Sequence, residues 1–374
     1  MSINTEREME AAIQAPNTKS MSKTMKLTLL LVNCAILSIG NTGGPLLLRL
    51  YFLKGGKRKW LSSWLETGGW PILLIPLSAA YAHRRHHKGS KDAKIMFMSP
   101  FLFGACVILG ILTGLDDFMY AYGVSLLPLS TSGLLISAQL AFQAVFALFI
   151  VRHKFTPYSI NAVVLLTVGS VVLGLHTNGD RPIGESRMEY FKGFFMTIAA
   201  AVLYGAVMPL IELTYKMTKQ AITYTLVMEM QLVMGFFATA FCTVGMLVNK
   251  DFQAIPREAR NFKLGETKYY VLLVFSAIVW QFFFLGTVGV ISCSSSLHAG
   301  VVISSLLPIT EILAVLFYKE KFTAEKGISL ALSLWGFASY FYGEYRKSKK
   351  EKPRVEGREL PESSHPQEKQ ERET

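Results

Sequence analysis

Residues 134–156 read LLISAQLAFQAVFALFIVRHKFT, and residues 301–323 read VVISSLLPITEILAVLFYKEKFT. A shift of 167 positions lays the first stretch on the second without a gap and, continued from Leu134 for 43 positions, gives nine identities. Apolar helices resemble one another by composition alone. The Lys-Phe-Thr triplet at 154–156 and 321–323 is stronger evidence, because it recurs in the same polar connector. The chain therefore contains an internal repeat.

The repeated stretches belong to a series of ten apolar stretches, each about 20 residues long, which is the length of helix that crosses a hydrocarbon layer. In lipid the backbone polar groups must pair within such a segment, so the stretches must be helical. The sequence predicts an all-α polytopic membrane protein with ten transmembrane helices. Their predicted bounds are 27–50, 62–82, 98–122, 128–151, 157–176, 190–213, 222–248, 268–290, 296–318 and 323–345.

The repeat assigns five spans to each half of the chain, over residues 27–176 and 190–345. Because five is odd, the second half must insert upside down relative to the first. Inverted repeats are typical of secondary transporters, in which the substrate site lies near the midplane between the halves and access alternates between the two sides. We therefore expect a transporter with a central polar site.

The parts outside the spans are short or polar. Residues 1–26 and 346–374 have no apolar periodicity, and we expect both tails to be disordered. The N-terminal tail does not have the basic-then-apolar pattern of a cleaved signal, so the first span should be retained. The longest connector, 249–267, has mixed charges and is predicted to be an exposed surface segment.

Composition excludes several classes of function. Of the 374 residues, 51% are hydrophobic and 17% are charged, and the net charge of +12 lies mainly in tails and loops. Such charge meets anionic headgroups of the lipid bilayer, which argues against nucleic-acid binding. The four cysteines lack metal-ligand spacing, and the spans contain no nucleophile–base pair. We expect neither an enzyme nor a bound cofactor.

The sequence gives only a weak indication of how the chain is oriented in the membrane, because the Lys and Arg residues of the loops are nearly balanced between the two sides. Two oppositely inserted halves would give such a balance. The basic tails favour cytoplasmic termini, and an even number of spans places both termini on one side. We therefore expect both termini in the cytoplasm.

Ionisable residues within spans are the first candidates for a site, because each costs about 2.5–3.5 kcal/mol at the centre of a membrane helix. Asp116, Glu229 and Glu311 are charged groups that packing explains least easily, and they are the predicted functional carboxyl groups. Asp117 follows Asp116 directly and is a further candidate. Polar and aromatic residues at similar depths are the predicted substrate-binding groups, namely Asn41, Tyr120, Gln139, Gln143, Trp280, Gln281 and Thr310.

Each of these residues also has a structural interpretation. A glutamine in a membrane is about as often an interhelical hydrogen bond as a ligand. Trp280 alone would usually be a core or interfacial aromatic residue. Glu66, Arg49 and Glu212 lie near predicted span ends, where solvated, capping or snorkelling groups are common. With aromatic faces and amide edges, such a site suits a small, planar or amphipathic organic solute.

Several motifs resemble the plant purine permeases. They include GGPLL at 43–47, LTGLD at 112–116, PLSTS at 128–132, PITE at 308–311 and SYFYGE at 339–344. The resemblance covers about residues 27–345 and implies a fold like that of the drug/metabolite transporters, with ten helices in two inverted five-helix repeats and cytoplasmic termini. Relatives often carry Asn at the position of Asp117, which favours Asp116 as the shared functional carboxyl group.

The resemblance implies proton-coupled uptake of purine nucleobases and derivatives such as adenine and cytokinins, and the chain looks most similar to the adenine/cytokinin branch. Uptake of alkaloids or pyridoxine-like heterocycles is an alternative within the family. A nucleotide-sugar or sugar-phosphate exchanger would need Lys or Arg facing the cavity, and no span carries one near its centre. The plasma membrane is the expected location, while the endoplasmic reticulum, the vacuole and both monomeric and dimeric states stay open.

Overall fold

The computed structural model describes residues 23–88, 96–126, 136, 138–175, 187–218, 220–318 and 324–356. Over these residues the secondary structure is helical, with short turns and connectors. The predictions for 1–22 and for 357–374 concern residues outside the described ranges. In chain order the helices are α1 (Lys23–Leu53), α2 (Lys59–Thr67), α3 (Leu74–Lys88), α4 (Pro100–Leu126), α5 (Gln139–Ile150), α6 (Pro157–Leu175), α7 (Arg187–Met217), α8 (Tyr224–Val248), α9 (Asp251–Arg260), α10 (Glu266–Cys293), α11 (Ser296–Tyr318) and α12 (Ala324–Glu356).

Six of the described helices, α1, α4, α7, α8, α10 and α11, are long and apolar enough to cross a membrane. Two shorter apolar helices occur at Gln139–Ile150 and Pro157–Gly169. Large apolar side chains cover the outside of the bundle, among them Phe149, Val248 and Trp335. Such a surface is stable against lipid rather than against water. The protein is therefore a multi-pass membrane protein.

The second predicted span, 62–82, is not one continuous helix. Helix α2 ends at Thr67, a turn at Gly68 and Gly69 follows, and a 3₁₀ turn over Trp70–Leu73 leads into α3. At Gly69 a Cβ atom would lie 2.1 Å from the carbonyl oxygen of Ala277 on α10. Only glycine allows α10 to pass so close to the turn. The break is thus built into the packing of the bundle.

The segment 249–267 is mostly exposed, as predicted, but part of it is helical and some of its residues are buried. Residues 251–260 form α9, and Asp251 at its start is buried. Arg58 at the start of α2 forms an ion pair with Asp251 at 3.3 Å. Tyr51 and Tyr269 donate hydrogen bonds of 2.5 and 3.1 Å to Glu258. Asp251 and Glu258 are therefore held by partners on α1, on α10 and at the start of α2, and α9 covers one end of the bundle.

Most helices pack mainly against one or two other helices. Helix α1 packs mainly against α10, α4 against α7 and α8, and α6 against α12, while α5 lies against α7 and α11 lies against α1 and α12. Glycines make the α1–α10 crossing tight. A Cβ on Gly40 would lie 2.2 Å from the Phe283 nitrogen, and one on Gly286 would lie 2.5 Å from the Leu37 nitrogen. The core therefore depends on close backbone contact between these helices.

The last helix extends beyond the predicted span. Helix α12 continues to Glu356, past the predicted limit at 345. Arg346 donates a hydrogen bond of 2.6 Å to the Tyr158 hydroxyl at the start of α6. The first residues of the predicted C-terminal tail are thus helical and in contact with the bundle.

Candidate functional site

Three carboxyl groups lie together inside the bundle, and we call Glu66, Asp116 and Asp117 the carboxyl cluster. Their exposed fractions are 1%, 5% and 5%. Glu66 interacts electrostatically with both aspartates, and Asp116 interacts with Asp117. One carboxyl oxygen of each residue is buried without a hydrogen-bond partner. Within the described ranges, none of the three forms an ion pair.

The cluster is positioned by three helices that pack closely. The Ser63 hydroxyl on α2 donates a hydrogen bond of 3.2 Å to the Asp117 carbonyl on α4. On the other side, α4 meets α8 through glycines, because a Cβ on Gly110 or Gly114 would lie 2.5 or 2.8 Å from a carbonyl oxygen of α8. The Asp116 and Asp117 side chains therefore project from a helix that is fixed on both flanks.

Two tyrosines face the carboxyl cluster. Tyr120, one turn after Asp116 on α4, interacts electrostatically with all three carboxyl groups. Tyr204 on α7 interacts with both aspartates, and its buried hydroxyl lies near Thr287 without a hydrogen-bond partner. The cluster is thus lined by phenolic groups from two helices.

An aromatic wall continues from Tyr204. The Tyr204 ring is stacked on Phe283 with ring centroids 6.1 Å apart, and Phe283 meets Trp280 edge to face at 5.5 Å. The Trp280 ring lies against α1, where a Cβ on Gly44 would be 2.8 Å from it. One turn earlier on α1, Asn41 donates a hydrogen bond of 3.2 Å to the Ile303 carbonyl.

Gln281 lies on another side of α10 from Trp280. It faces the break in the second span, since a Cβ on Gly69 would lie 2.7 Å from the Gln281 Cβ. Its exposed fraction is 1%, and neither its amide nitrogen nor its amide oxygen has a partner. A buried polar atom without a partner costs about 1–3 kcal/mol, so such atoms at one site indicate a place for a ligand, a proton or water.

The structure thus brings Asp116, Asp117 and Tyr120 together and connects Trp280 to them through Phe283 and Tyr204. Other predicted site residues have different surroundings. The Gln139 carbonyl lies where α5 meets Gly205 of α7, and the Thr310 hydroxyl donates to the Leu306 carbonyl of its own helix at 3.0 Å. The side chain of Glu311 lies outside the described residues.

Glu229 lies away from the carboxyl cluster. Its carboxylate accepts a hydrogen bond of 2.9 Å from the Phe97 backbone N–H, just before α4 begins. Its other oxygen is buried without a partner. Since α4 runs from Pro100 to Leu126, Glu229 lies near the first end of that helix and Asp116 lies in its second half.

Gln143 takes part in a polar contact that we call the Glu212 clasp, formed by Gln143, Glu212, Lys216 and Ser296. Glu212 accepts hydrogen bonds of 2.7 and 2.6 Å from the Ser296 N–H and hydroxyl, and its other oxygen pairs with Lys216 at 2.8 Å. Gln143 donates to the Ser296 carbonyl at 2.5 Å. The clasp joins α5, α7 and the start of α11.

Sequence reasoning missed two residues of the site. Glu66 lies near the start of the predicted span 62–82, whereas in the structure the break at Gly68 and Gly69 follows it and it is buried. Tyr204 carried no signal of its own among the apolar residues of α7. The Gly-Gly-x-Pro pattern at 68–71 is the feature that indicates a broken helix.

Chemically, the site combines carboxyl, phenol and amide groups with aromatic faces. Carboxylic acids and amides offer both donors and acceptors, and aromatic rings stack on flat solutes. No group of three His, Cys, Asp or Glu side chains arranged to hold a metal ion occurs in the part of the chain that the structure describes. The arrangement suits binding of a planar, polar solute.

Comparison with known proteins gives a consistent result. Residues 28–350 match the family described as purine nucleobase transmembrane transport. Purine permease 3 of Arabidopsis thaliana is 54% identical over 91% of this chain and 97% of its own length. Purine permease 2 of the same plant is 50% identical over 88% and 95%. A protein of known crystal structure, 15% identical, has a similar fold, with a TM-score of 0.55 over 83% of this chain and 96% of its own.

Proposed function

The chain belongs to the purine permease family, and from this premise we propose that it takes up adenine and related purines, including cytokinins, together with protons. Membership makes it a purine nucleobase transporter rather than an enzyme. The observation that supports a central purine site is the carboxyl cluster, which lies buried beside the aromatic wall of Tyr204, Phe283 and Trp280.

In this proposal the flat purine stacks on the aromatic wall, and side-chain amides form hydrogen bonds with the polar edge of the purine. Trp280 and Tyr120 supply aromatic faces, while Gln281, Gln139 and Asn41 supply hydrogen bonds. Gln281 is the amide best supported by the structure, because both of its polar atoms are buried without partners. Gln143 and Thr310 serve the helix contacts around the site, since their hydrogen bonds are directed there.

The proton is carried by a buried carboxyl group. Asp116 is the candidate best supported by its surroundings, because it lies beside other carboxyl groups and has an unpartnered oxygen. Glu229 and Glu311 are the further candidates. A gradient drives uptake only if proton and substrate binding favour one another within a cycle, which requires that both affect the same conformational equilibrium.

Alternating access follows from ten spans in two inverted halves, with α2 and α3 forming one span and α9 lying on the surface. Under this assignment α1, α4, α5 and α6 correspond to α7, α10, α11 and α12. The packing supports the assignment. When each helix is replaced by its counterpart in the other half, the α1–α10 contact becomes the α7–α4 contact, and the α5–α7 contact becomes the α11–α1 contact. The α6–α12 contact joins two corresponding helices, as a twofold axis in the membrane plane requires.

We place both termini in the cytoplasm and the protein in the plasma membrane. The carboxyl cluster then lies toward the outer side, where α9 covers the bundle, and the Glu212 clasp lies toward the cytoplasm. Exchange of nucleotide sugars or sugar phosphates is disfavoured, because no Lys or Arg contacts the carboxyl cluster in the described residues. Alkaloids and pyridoxine-like heterocycles would fit the same aromatic wall and are competitors of adenine in the test.

Uptake of labelled adenine by yeast cells that lack their own purine carrier tests the proposed function. We expect uptake that is abolished by a protonophore and that excess adenine blocks better than an excess of alkaloid, pyridoxine or nucleotide sugar. Uptake that persists at high external pH and with the protonophore would remove proton coupling. Stronger competition by alkaloid or pyridoxine would assign the site to that substrate class.

Trp280→Ala tests the aromatic wall. Stacking on a base contributes about 1–3 kcal/mol, so we expect the KM for adenine to rise about 5–150-fold. Trp335→Ala is the matched control, because Trp335 lies on the outer surface of α12 with an exposed fraction of 69%. A KM for Trp280→Phe between those of the parent and Trp280→Ala would support stacking, whereas an unchanged KM in Trp280→Ala would exclude it.

A further inference from the structure

Glu66 has no role in the transport cycle described so far, although it is buried among the groups of the site. It lies in the last turn of α2, directly before the turn at Gly68 and Gly69. That turn brings α2 against the part of α10 that carries Gln281. Glu66 is thus the member of the carboxyl cluster that is nearest in sequence to the turn packed against Gln281, whose amide has no partners.

Full ionisation of the three carboxyl groups is unfavourable, because they are buried together and interact with one another. No ion pair in the described residues offsets their repulsion. A carboxylic acid offers an O–H donor and a carbonyl acceptor in one plane, whereas a carboxylate offers acceptors alone.

Two side chains outside the cluster also indicate a ligand. Tyr204, with an exposed fraction of 8%, comes from α7, and its hydroxyl makes no hydrogen bond, lies near Thr287 and interacts electrostatically with the two aspartates. Gln281 comes from α10 and leaves both amide atoms unpartnered. These groups belong to different helices, so packing within one helix does not account for them.

We infer that Glu66, in its protonated form, is the residue that reads the amino edge of the purine. An aminopurine presents an exocyclic N–H donor next to a ring-nitrogen acceptor. A carboxylic acid pairs with this edge through two parallel hydrogen bonds, O–H to ring nitrogen and N–H to carbonyl. The ionised form cannot donate to the ring nitrogen. This inference rests on the proposed function. It makes Glu66 responsible for substrate choice and puts Glu66 in place of Asp116 as the carrier of the coupled proton.

Other titratable groups near Glu66 come from the helices packed around α2. They are Asp116, Asp117 and Tyr120 on α4, Tyr204 on α7, Cys242 on α8, and Asp251 and Glu258 of α9 with Arg58 at the start of α2. On α10, the turn after Glu66 meets Gln281, whose amide does not titrate. A change of charge at Glu66 therefore acts chiefly on the two aspartates.

Glu66→Gln separates purine recognition from the proton requirement, because an amide keeps the donor and the acceptor but has no proton to release. In the yeast assay we expect Glu66→Gln to keep the KM for adenine within about threefold while its uptake loses the dependence on external pH. We expect Glu66→Ala to raise this KM about 10–100-fold, since the bidentate contact is lost. Glu266→Gln is the control, because Glu266 is an exposed residue at the start of α10. This variant should behave as the parent does.

Substrate choice gives a second readout. 6-Dimethylaminopurine lacks the exocyclic N–H, so the parent should prefer adenine over it by about tenfold or more, and Glu66→Ala should lose this preference. A parent-like pH profile in Glu66→Gln, or a preference that survives in Glu66→Ala, would overturn the inference. Absence of adenine uptake by the parent itself would instead refute the proposed function. Counterflow of adenine by Glu66→Gln shows that this variant is folded.

Discussion

We expect Glu212→Ala to lower the stability of the protein by about 1–3 kcal/mol, the usual cost of leaving buried hydrogen-bond donors without their acceptor. Glu212 accepts both the backbone N–H and the hydroxyl of Ser296 and pairs with Lys216. Without it, the first turn of α11 loses its cap and the Lys216 ammonium group loses its counter-charge. Uptake should fall with the amount of folded protein.

The temperature at which detergent-purified protein leaves the monodisperse peak in size-exclusion chromatography measures this effect. Glu212→Gln should lie between the parent and Glu212→Ala, because an amide oxygen still accepts from Ser296. Glu266→Ala removes an exposed carboxylate at the start of α10 and is the control. Equal melting temperatures for Glu212→Ala and Glu266→Ala would mean that the clasp does not stabilise α11.

Gly40→Ala should be the second strongly destabilising change, with a loss of about 1–3 kcal/mol from overpacking. The added Cβ would lie 2.2 Å from the Phe283 nitrogen and 2.5 Å from its Cα atom, so α1 and α10 would have to separate. Because Phe283 stacks on Tyr204 and contacts Trp280, the separation would also shift the aromatic wall. We expect lower thermal stability and weaker adenine uptake together.

Gly104→Ala is the matched control for this change. Gly104 lies within α4, and a Cβ there would meet no atom within 4 Å. Alanine in place of an exposed helical glycine stabilises a helix by about 1 kcal/mol. The two substitutions should therefore move the melting temperature in opposite directions, and the same sign for both would show that the α1–α10 contact is looser than described.

Long apolar helices could be predicted well from the sequence. The predicted bounds 296–318 coincide with α11, and 222–248 differs from α8 by two residues at one end. These helices are limited by the length of apolar sequence, which is a local property. The break between α2 and α3 and the packing of α9 were not predicted, because they depend on a close approach of α10 and on ion pairs with distant residues.

In the candidate site, too, some residues could be predicted from the sequence and others depend on packing. Asp116 and Asp117 could be found from sequence, because charged residues in the middle of an apolar span stand out. Glu66 could not, since its depth depends on where the second span breaks. The interhelical hydrogen bond that was left open for Gln143 is present, and it directs the amide to Ser296 of α11. Sequence identifies polar residues in a membrane but not which of them share a site.

Purified protein in liposomes tests the central account most directly. Vesicles loaded at high internal pH and placed in labelled adenine at lower external pH should accumulate the label above its external concentration. Collapse of the pH gradient should release it, and vesicles containing Glu66→Gln should equilibrate adenine without accumulating it. Label that enters no faster than in empty liposomes, or that accumulates equally with and without the gradient, would contradict a proton-coupled purine transporter.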